Sequence, residues 1–321
     1  MTLETEAASI ITFGPVPSRR LGRSLGINNI PPKNCSYSCI YCQVGRTMVT
    51  QITAQTFYRP EEIVEAVTAK VKATLGAGEK IDYLTFVPDG EPTLDIHLGE
   101  VIDCLRPMGI KIAVISNASL IWRQEVQHIL NKADWVSLKI DSVDEATWKQ
   151  INRPHDSLQL SVVLRGIESF AKQYQGELVT ETMLVEGIND NHASVASVAE
   201  FLFQLKPHKA YLAIPTRPPA ETDVQVPDEK VIIRAYQLMK EKCIDVEYLI
   251  DYEGDAFALT GGAERDLLAI TAVHPMREQA VQKLLSKAGE EWELIQRLLA
   301  ENKLKRVEYT GQHFYVRCLH H

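Results

Sequence analysis

Residues 34–43 read NCSYSCIYCQ and carry three cysteines, Cys35, Cys39 and Cys42, within eight positions. The chain has six cysteines, and the other three stand alone: Cys104, Cys243 and Cys318. Without a secretory signal pattern, such close cysteines are typical of a metal or redox site rather than a disulfide framework. A closed zinc site takes four ligands, so three thiols in one loop raise the question of what they bind.

Four kinds of metal or redox site use cysteines at such close spacing. Structural zinc lacks a nearby fourth ligand, because the first histidine is His97. Covalent haem needs CxxCH, but Gln43 follows Cys42. A thioredoxin-type pair of Cys39 and Cys42 leaves Cys35 without a role. An iron–sulfur cubane held by three thiolates uses all three cysteines, and its fourth iron stays open for a small chelating molecule such as S-adenosylmethionine (SAM).

Outward from this loop, short β-rich runs alternate with helical patterns. Six runs are predicted as strands: SLGINN (24–29), DYLTFV (82–87), IKIAVIS (110–116), DWVSLKI (134–140), ELVTETMLV (177–185) and KAYLAI (209–214). Helical spacing of apolar residues between them, as in residues 60–75, implies crossovers and therefore a parallel sheet. The sequence predicts an α/β fold with a partial (β/α)6 TIM-like barrel. The chemistry of such a fold belongs at the carboxyl ends of the strands, where every polar motif of this chain falls.

The last part of the chain has a different pattern. We predict a barrel over residues 1–250, a bridging segment over 251–262 and a small C-terminal winged-helix-like domain over 263–321. Three helices broken at His274-Pro275 and Gly289 are followed by a two-stranded ribbon turned at Thr310-Gly311. Nine basic and eight acidic residues in this part do not favour nucleic acid over a protein partner or a structural role.

The net charge of −8 argues against non-specific binding of nucleic acid. No acidic residue lies between Glu6 and Glu61, and this window holds six cations: Arg19, Arg20, Arg23, Lys33, Arg46 and Arg59. They predict either a positive surround for an anionic metal centre or a site for an anionic substrate. The N-terminus lacks a basic region followed by an apolar run, and no later stretch is apolar enough for a membrane span. We therefore expect a cytoplasmic protein that does not bind membranes.

The CxxxCxxC motif, the acidic GE turn at Gly90-Glu91 and the strand-end Ser116-Asn117 together resemble the radical SAM superfamily over about residues 13–250. The resemblance implies a [4Fe-4S] cluster on the three cysteines and SAM as the second cofactor. It implies reductive cleavage of SAM to methionine and a 5′-deoxyadenosyl radical that abstracts hydrogen from the substrate. Flavodoxin or ferredoxin would supply the electron.

The resemblance also implies roles for other residues. Gly90, Glu91 and Pro92 match the turn that contacts the methionine amino group of SAM, with Pro92 stiffening it. Asp89 replaces a glycine of that turn and is assigned to the substrate, with helix capping as the alternative. Five further residues are assigned to SAM: Tyr41, Ser116, Asn117, Lys139 and Asp141. Thr182 is a weaker candidate for the same role.

Simpler structural roles compete with several of these assignments. Ser116 and Asn117 could only cap the following helix, and Lys139 and Asp141 could only form a salt bridge. Tyr41 could shield the cluster instead of packing near adenine. A threonine such as Thr182 is commonplace in a half-buried strand.

The flanking PVPSRRLGRSLGIN, with YCQVGRT and GEPTL, resembles a subgroup related to wyosine-type tRNA-base synthases. No cysteine precedes Cys35, so the second N-terminal cluster of some members is not expected. The leading hypothesis is an anionic substrate, with an RNA base first, whose phosphate contacts Arg19, Arg20 and Arg23. The alternatives are modification of a protein or peptide docked on the C-terminal domain, and a redox-sensing regulator that binds DNA. The oligomeric state is not predicted.

Overall fold

The computed structural model describes residues 11–242, 244–250, 254–255, 257–260 and 262–318. Cys243 and residues 319–321 lie outside the described residues, as does part of the expected bridging segment 251–262. Eight strands form one open, curled sheet in chain order: β1 Thr12–Ser18, β2 Gly22–Ile27, β3 Tyr83–Phe86, β4 Lys111–Ser116, β5 Trp135–Lys139, β6 Glu177–Met183, β7 Lys209–Ala213 and β8 Val246–Leu249. The predicted partial barrel is confirmed.

The six predicted strands are β2 to β7, and all neighbouring pairs among them are parallel. Two strands of this sheet were not predicted. β1 pairs antiparallel with β2 and makes a hairpin, and β8 extends the parallel sheet beyond β7. Because β2 to β8 run in one direction, their carboxyl ends lie at one edge of the sheet, which gathers the loops that follow them.

The described part of this domain contains seven helices: α1 Pro60–Gly76, α2 Leu98–Leu105, α3 Gln124–Leu130, α4 Glu145–Asn152, α5 Leu160–Gln173, α6 His192–Leu205 and α7 Glu229–Glu241. Six of them cover one face of the sheet, and α4 packs on the cysteine loop instead. In α1 the predicted spacing buries Ile63, Val67 and Val71, whereas Leu75 at its end is exposed. Pro60 occupies the first turn, and the Glu62 carboxylate accepts from the Arg59 backbone N–H at 2.9 Å, so the helix begins there.

The sheet is buried on both faces. The main core lies between the strands and the helices, and a smaller apolar cluster on the other face contains Leu21, Ala113, Trp135, Val179 and Tyr211. Charged side chains lie on this second face as well, toward the carboxyl ends of the strands. None of the described helices has the length and apolar character needed to cross a bilayer.

The C-terminal part contains helices α8 Ala263–Val273, α9 Glu278–Ala288 and α10 Glu293–Ala300, and strands β9 Met276–Arg277, β10 Leu304–Tyr309 and β11 Gln312–Arg317. The strands form a small antiparallel sheet in the order β10-β11-β9. The helix breaks and the turn at Thr310-Gly311 fall where the sequence predicts them. The C-terminal part packs on the hairpin through Phe13 and Val16, and Lys70 forms an ion pair with Asp266 at 2.8 Å.

Candidate active site

A cavity of about 270 Å³ opens at the carboxyl edge of the sheet. Eleven of the residues singled out from the sequence line it: Arg19, Arg20, Cys35, Cys39, Tyr41, Cys42, Asp89, Gly90, Ser116, Asn117 and Lys139. Five others are not among its lining residues: Arg23, Glu91, Pro92, Asp141 and Thr182. The fold therefore brings most of the predicted site together, although the segments that carry it are widely spaced in the chain.

The cysteine loop is tied to the turn at residues 89–91. Asn34 and Gly90 form an isolated β-bridge, and the Glu91 backbone N–H donates to the Asn34 carbonyl at 3.0 Å. A Cβ atom on Gly90 would lie 2.1 Å from the same Asn34 carbonyl oxygen, and its φ of 156° favours glycine. Gly90 is thus required for the close approach of the two segments.

We expect Gly90→Ala to destabilise the protein by about 1–3 kcal/mol, because either the backbone or the bridge to Asn34 must move. The displaced cysteine loop should also bind less iron. Gly78→Ala is the matched control, since Gly78 has a φ of 75° but nothing within 4 Å of the added Cβ. Urea unfolding and iron analysis after anaerobic reconstitution test this; equal iron loading and equal stability of the two variants would contradict it.

Glu91 connects the turn to the end of β4 rather than facing the cavity. Its fully buried carboxylate accepts hydrogen bonds from the Ser116 hydroxyl at 2.8 Å and the Asn117 backbone N–H at 2.7 Å. The hydroxyl and backbone N–H of Thr93 donate to it as well. Burial raises the pKa of Glu91, and these donors oppose that rise. With its oxygens engaged in this way, Glu91 positions the neighbouring strand end, and Pro92 begins a short 3-10 turn.

Asparagine amides contact two of the three thiols. Asn117 Nδ2 lies 3.5 Å from Cys35 Sγ, and Asn152 Nδ2 lies 3.4 Å from Cys39 Sγ. Asn117 Oδ1 also accepts from the Ser119 backbone N–H, so one end of this amide holds a turn and the other end faces the cysteine loop. The following helix, α3, begins at Gln124 with Arg123 at its cap, so the alternative in which Ser116 and Asn117 cap that helix is wrong. Asn152, at the end of α4, was not found from the sequence because no motif surrounds it.

The three thiols suit a cluster rather than a single ion. All three cysteines are free and face the same cavity. Burial raises the pKa of each thiol, that of Cys39 to about 12, so their thiolates need bound metal as compensating charge. No three His, Cys, Asp or Glu side chains in the described part of the chain are grouped around one metal-ion position. A [4Fe-4S] cluster fits this donor set, because it takes thiolates on separate iron atoms.

Tyr41 and Asp141 belong to a buried network behind the cysteines. The Tyr41 hydroxyl donates to Asp141 Oδ2, which also accepts from Asn152 Nδ2 at 2.7 Å. Asp141 Oδ1 accepts from the Met183 backbone N–H at 2.8 Å. The Thr182 hydroxyl donates to the Ile140 carbonyl, on the strand face away from the cavity. Asp141 thus acts on the site through its neighbours.

On β6, the residues on both sides of Thr182 face the cavity, and one of them is charged. The Glu181 carboxylate forms ion pairs with Arg20 and, at 2.6 Å, with Lys139. Lys139 therefore pairs with Glu181 and not, as the alternative expected, with Asp141. Burial raises the pKa of Glu181, but the two cations lower it to about 2. Two cations share one carboxylate in this triad of Arg20, Glu181 and Lys139, which carries one excess positive charge on the cavity wall.

The other predicted substrate residues differ in position. Arg19 lines the cavity, whereas Arg23 forms an ion pair with Glu79 at 2.6 Å and is not a lining residue. Asp89 is almost fully buried and pairs with Lys33 at 3.1 Å. Its second oxygen, Oδ2, has no hydrogen-bond partner among the described residues. Asp89 does not cap a helix here, since Glu91 caps the following turn.

The C-terminal part supplies a section of the cavity wall that the sequence did not indicate. Val273 lines the cavity, and its carbonyl accepts from Gln43, the residue after Cys42, at 3.1 Å. Arg217 also lines the cavity and contacts Gln43 Oε1 at 2.9 Å and His274 Nε2 at 3.1 Å. Burial and Arg217 hold the pKa of His274 well below its usual range, so this imidazole is neutral.

A three-cysteine loop at the carboxyl edge of an open α/β half-barrel is the arrangement that characterises radical SAM proteins. Residues 29–198 match the model of the Radical SAM superfamily, and the chain belongs to this superfamily. The UPF0026 protein MJ1312 of Methanocaldococcus jannaschii is 47% identical over 309 residues, which cover 96% of each chain.

Two further similarities are more distant. An S-adenosylmethionine-dependent nucleotide dehydratase of a Thermoplasmatales archaeon is 31% identical over 119 residues, 37% of this chain and 38% of that protein. The crystal structure of a radical SAM methyltransferase from Sphaerobacter thermophilus superposes with a TM-score of 0.54 at 15% identity, over 71% of this chain and 66% of that one. At this identity the superposition supports the fold alone.

Proposed function

We propose that this radical SAM enzyme abstracts hydrogen from an anionic nucleotide unit, either free or as a base within RNA. The observation that carries the proposal is the triad of Arg20, Glu181 and Lys139, whose excess positive charge faces the same cavity as the three cysteines. A half-buried cationic wall stabilises an anionic ligand more strongly than a fully exposed one does, because water screens it less.

The residues of the chain have distinct tasks in this proposal. Cys35, Cys39 and Cys42 would hold a [4Fe-4S] cluster. Glu91 does not line the cavity, so in this proposal the carboxylate of Asp89, which the sequence assigned to the substrate, and the Gly90 backbone carbonyl would receive the ammonium group of SAM. The chemistry supplied there is one-electron cleavage of SAM to methionine and a 5′-deoxyadenosyl radical, with flavodoxin or ferredoxin as the source of the electron. The smaller apolar cluster on this face of the sheet, which contains Trp135 and Tyr211, limits the entry of water, which would otherwise compete for the charged groups.

Two further points support a nucleotide. Arginine presents paired N–H donors that match phosphate oxygens, and both Arg19 and Arg20 line the cavity. The relative from the Thermoplasmatales archaeon is named as acting on nucleotides. The C-terminal part borders the cavity at Val273. We therefore propose that, when the nucleotide is part of an RNA, this winged-helix-like domain contacts the rest of that RNA.

Arginine variants test the proposed substrate class. We expect GMP, GTP or total tRNA to increase 5′-deoxyadenosine formation by the anaerobically reconstituted enzyme with SAM and dithionite, and uncharged guanosine to have little effect. Arg20→Ala should raise KM for the effective nucleotide by about tenfold to a hundredfold, because one charge-assisted hydrogen bond to the phosphate is lost.

Arg23→Ala is the matched control, because Arg23 pairs with Glu79 and is not a lining residue. Nucleotide-independent cleavage of SAM should be unchanged in both variants. The proposal is rejected if guanosine stimulates as well as GMP does, if no nucleotide stimulates, or if the two arginine variants have the same KM.

A further inference from the structure

We propose that Asn152 is a positioning residue that raises the reduction potential of the cluster by placing its amide between the Cys39 sulfur and the Asp141 carboxylate. The inference rests on the proposed function in one respect, the cluster on the three cysteines. It adds a residue outside every recognised motif, contributed by the last position of α4.

The backbone fixes the end of α4 against the cysteine loop on both sides of Cys39. The Ser38 N–H donates to the Asn152 carbonyl at 3.1 Å, and the Ile40 N–H donates to the Ile151 carbonyl at 3.0 Å. The Asn152 side chain is only 2% exposed. A buried side chain on a backbone held at two points has little freedom to turn away from the sulfur.

The side-chain amide has two hydrogens and three acceptors within reach. Nδ2 lies 2.7 Å from Asp141 Oδ2, and 3.4 Å from both Cys39 Sγ and Tyr41 Oη. The Tyr41 hydroxyl itself donates to Asp141, so the shortest contact of Asn152 completes the shell of that carboxylate. The second hydrogen points toward the sulfur and the tyrosine oxygen. Asn152 thus gives one N–H to the carboxylate and directs the other at the thiolate side.

The Asn152 amide lies where it can stabilise the negative charge that reduction adds to the cluster. A one-electron donor such as dithionite places one more negative charge on the cluster and its thiolates. An N–H dipole directed at sulfur stabilises the more negative state, whereas the nearby Asp141 carboxylate destabilises it. Hydrogen bonds to cluster sulfurs are an established determinant of reduction potential, and groups behind the ligands tune metal sites in this way. Without the amide, the Cys39 sulfur and the Asp141 carboxylate each lose a hydrogen-bond donor.

The experiment is an anaerobic redox titration of the reconstituted cluster, followed by paramagnetic resonance. Asn152→Leu removes both N–H groups at similar volume, and we expect its midpoint potential to shift to a more negative value. Asn152→Gln keeps an amide and should restore part of the shift. Asn189→Leu is the matched control: Asn189 is also buried and donates to the Asp141 backbone carbonyl at 2.8 Å, but among the described residues its amide hydrogen-bonds only to backbone groups and to no sulfur.

Iron content and the urea midpoint of each variant are measured first, and Asn152→Ser replaces Asn152→Leu if the latter does not fold. An unchanged potential in the folded Asn152 variant, or an equal shift in Asn189→Leu, overturns the inference. These results leave the proposed function standing. Failure of the wild-type protein to bind a cluster instead overturns both, so the two failures are distinguishable.

Discussion

Cys42→Ser is expected to lose the cluster and, with it, all cleavage of SAM. The three cysteines of the loop line the cavity together and are the proposed ligands, and a serine hydroxyl does not replace a thiolate on iron. Iron and sulfide per chain after anaerobic reconstitution should fall to background. With dithionite and SAM, the variant should form no 5′-deoxyadenosine above the level of a reaction without enzyme.

Cys104→Ser is the matched control, because Cys104 is exposed on α2 and is not a residue of the cavity wall. It should keep the iron content and SAM cleavage of the wild-type protein. The assignment of the cysteines fails if Cys42→Ser retains wild-type iron, or if the reconstituted wild-type protein holds zinc in place of iron and sulfide.

Glu181→Gln is expected to lower the free energy of unfolding at pH 7 by about 3 kcal/mol. The buried carboxylate is the shared partner of Arg20 and Lys139, so the change leaves two half-buried cations without it. The same magnitude follows from its pKa, which lies near 2 instead of the ordinary 4.5. Glu177→Gln, on the same strand but exposed, should change stability by less than about 0.5 kcal/mol.

The effect of Glu181 on stability should depend on pH in a defined direction. A carboxyl whose folded-state pKa is depressed contributes stability that is fully present above the unfolded-state pKa, here near 4.5. This contribution decreases as pH falls toward the folded-state value of about 2. Urea unfolding of the wild-type protein and Glu181→Gln between pH 7 and pH 3 measures the difference. A difference that stays constant over this range would contradict the assigned ion pairs.

Much of the fold was predictable from local patterns. Alternating β-rich and helical runs located strands β2 to β7 to within a few residues, and the break at Gly289 matched a helix end. The hairpin strand β1 and the edge strand β8 were missed. β1 contains two prolines and a bulge, and β8 is only four residues long, so neither carries a clear alternation.

The candidate site was predictable only where a motif marked it. Thr182 was selected on β6, but successive side chains on a strand point to opposite faces, so its neighbour Glu181 faces the cavity. A one-residue difference of this kind cannot be resolved from a strand with polar residues on both faces. Asn152 and Val273 lie on helices outside any recognised motif and reach the site through packing alone.

The charges near the cysteine loop also differ between what the sequence shows and what the folded chain pairs. The sequence shows a window with six cations and no acid between Glu6 and Glu61. In the folded chain, carboxylates from outside the window neutralise several of these cations: Glu79 pairs with Arg23, Asp89 with Lys33, Glu181 with Arg20 and Glu221 with Arg46. The positive excess that remains in the cavity is therefore smaller and more local than the sequence suggests.

By itself, the sequence determined the class of fold, the three clustered thiols and the edge of the sheet at which they lie. These features can be read from the spacing of residues along the chain, because a loop of eight residues or a strand of five is formed by neighbours in the sequence. The tertiary structure alone decided which face each polar residue presents, which carboxylate pairs with which cation, and which amide reaches a sulfur. These are contacts between residues far apart in the chain, 161 positions in the pair of Arg20 and Glu181, and they exist only once the sheet has curled around the cavity.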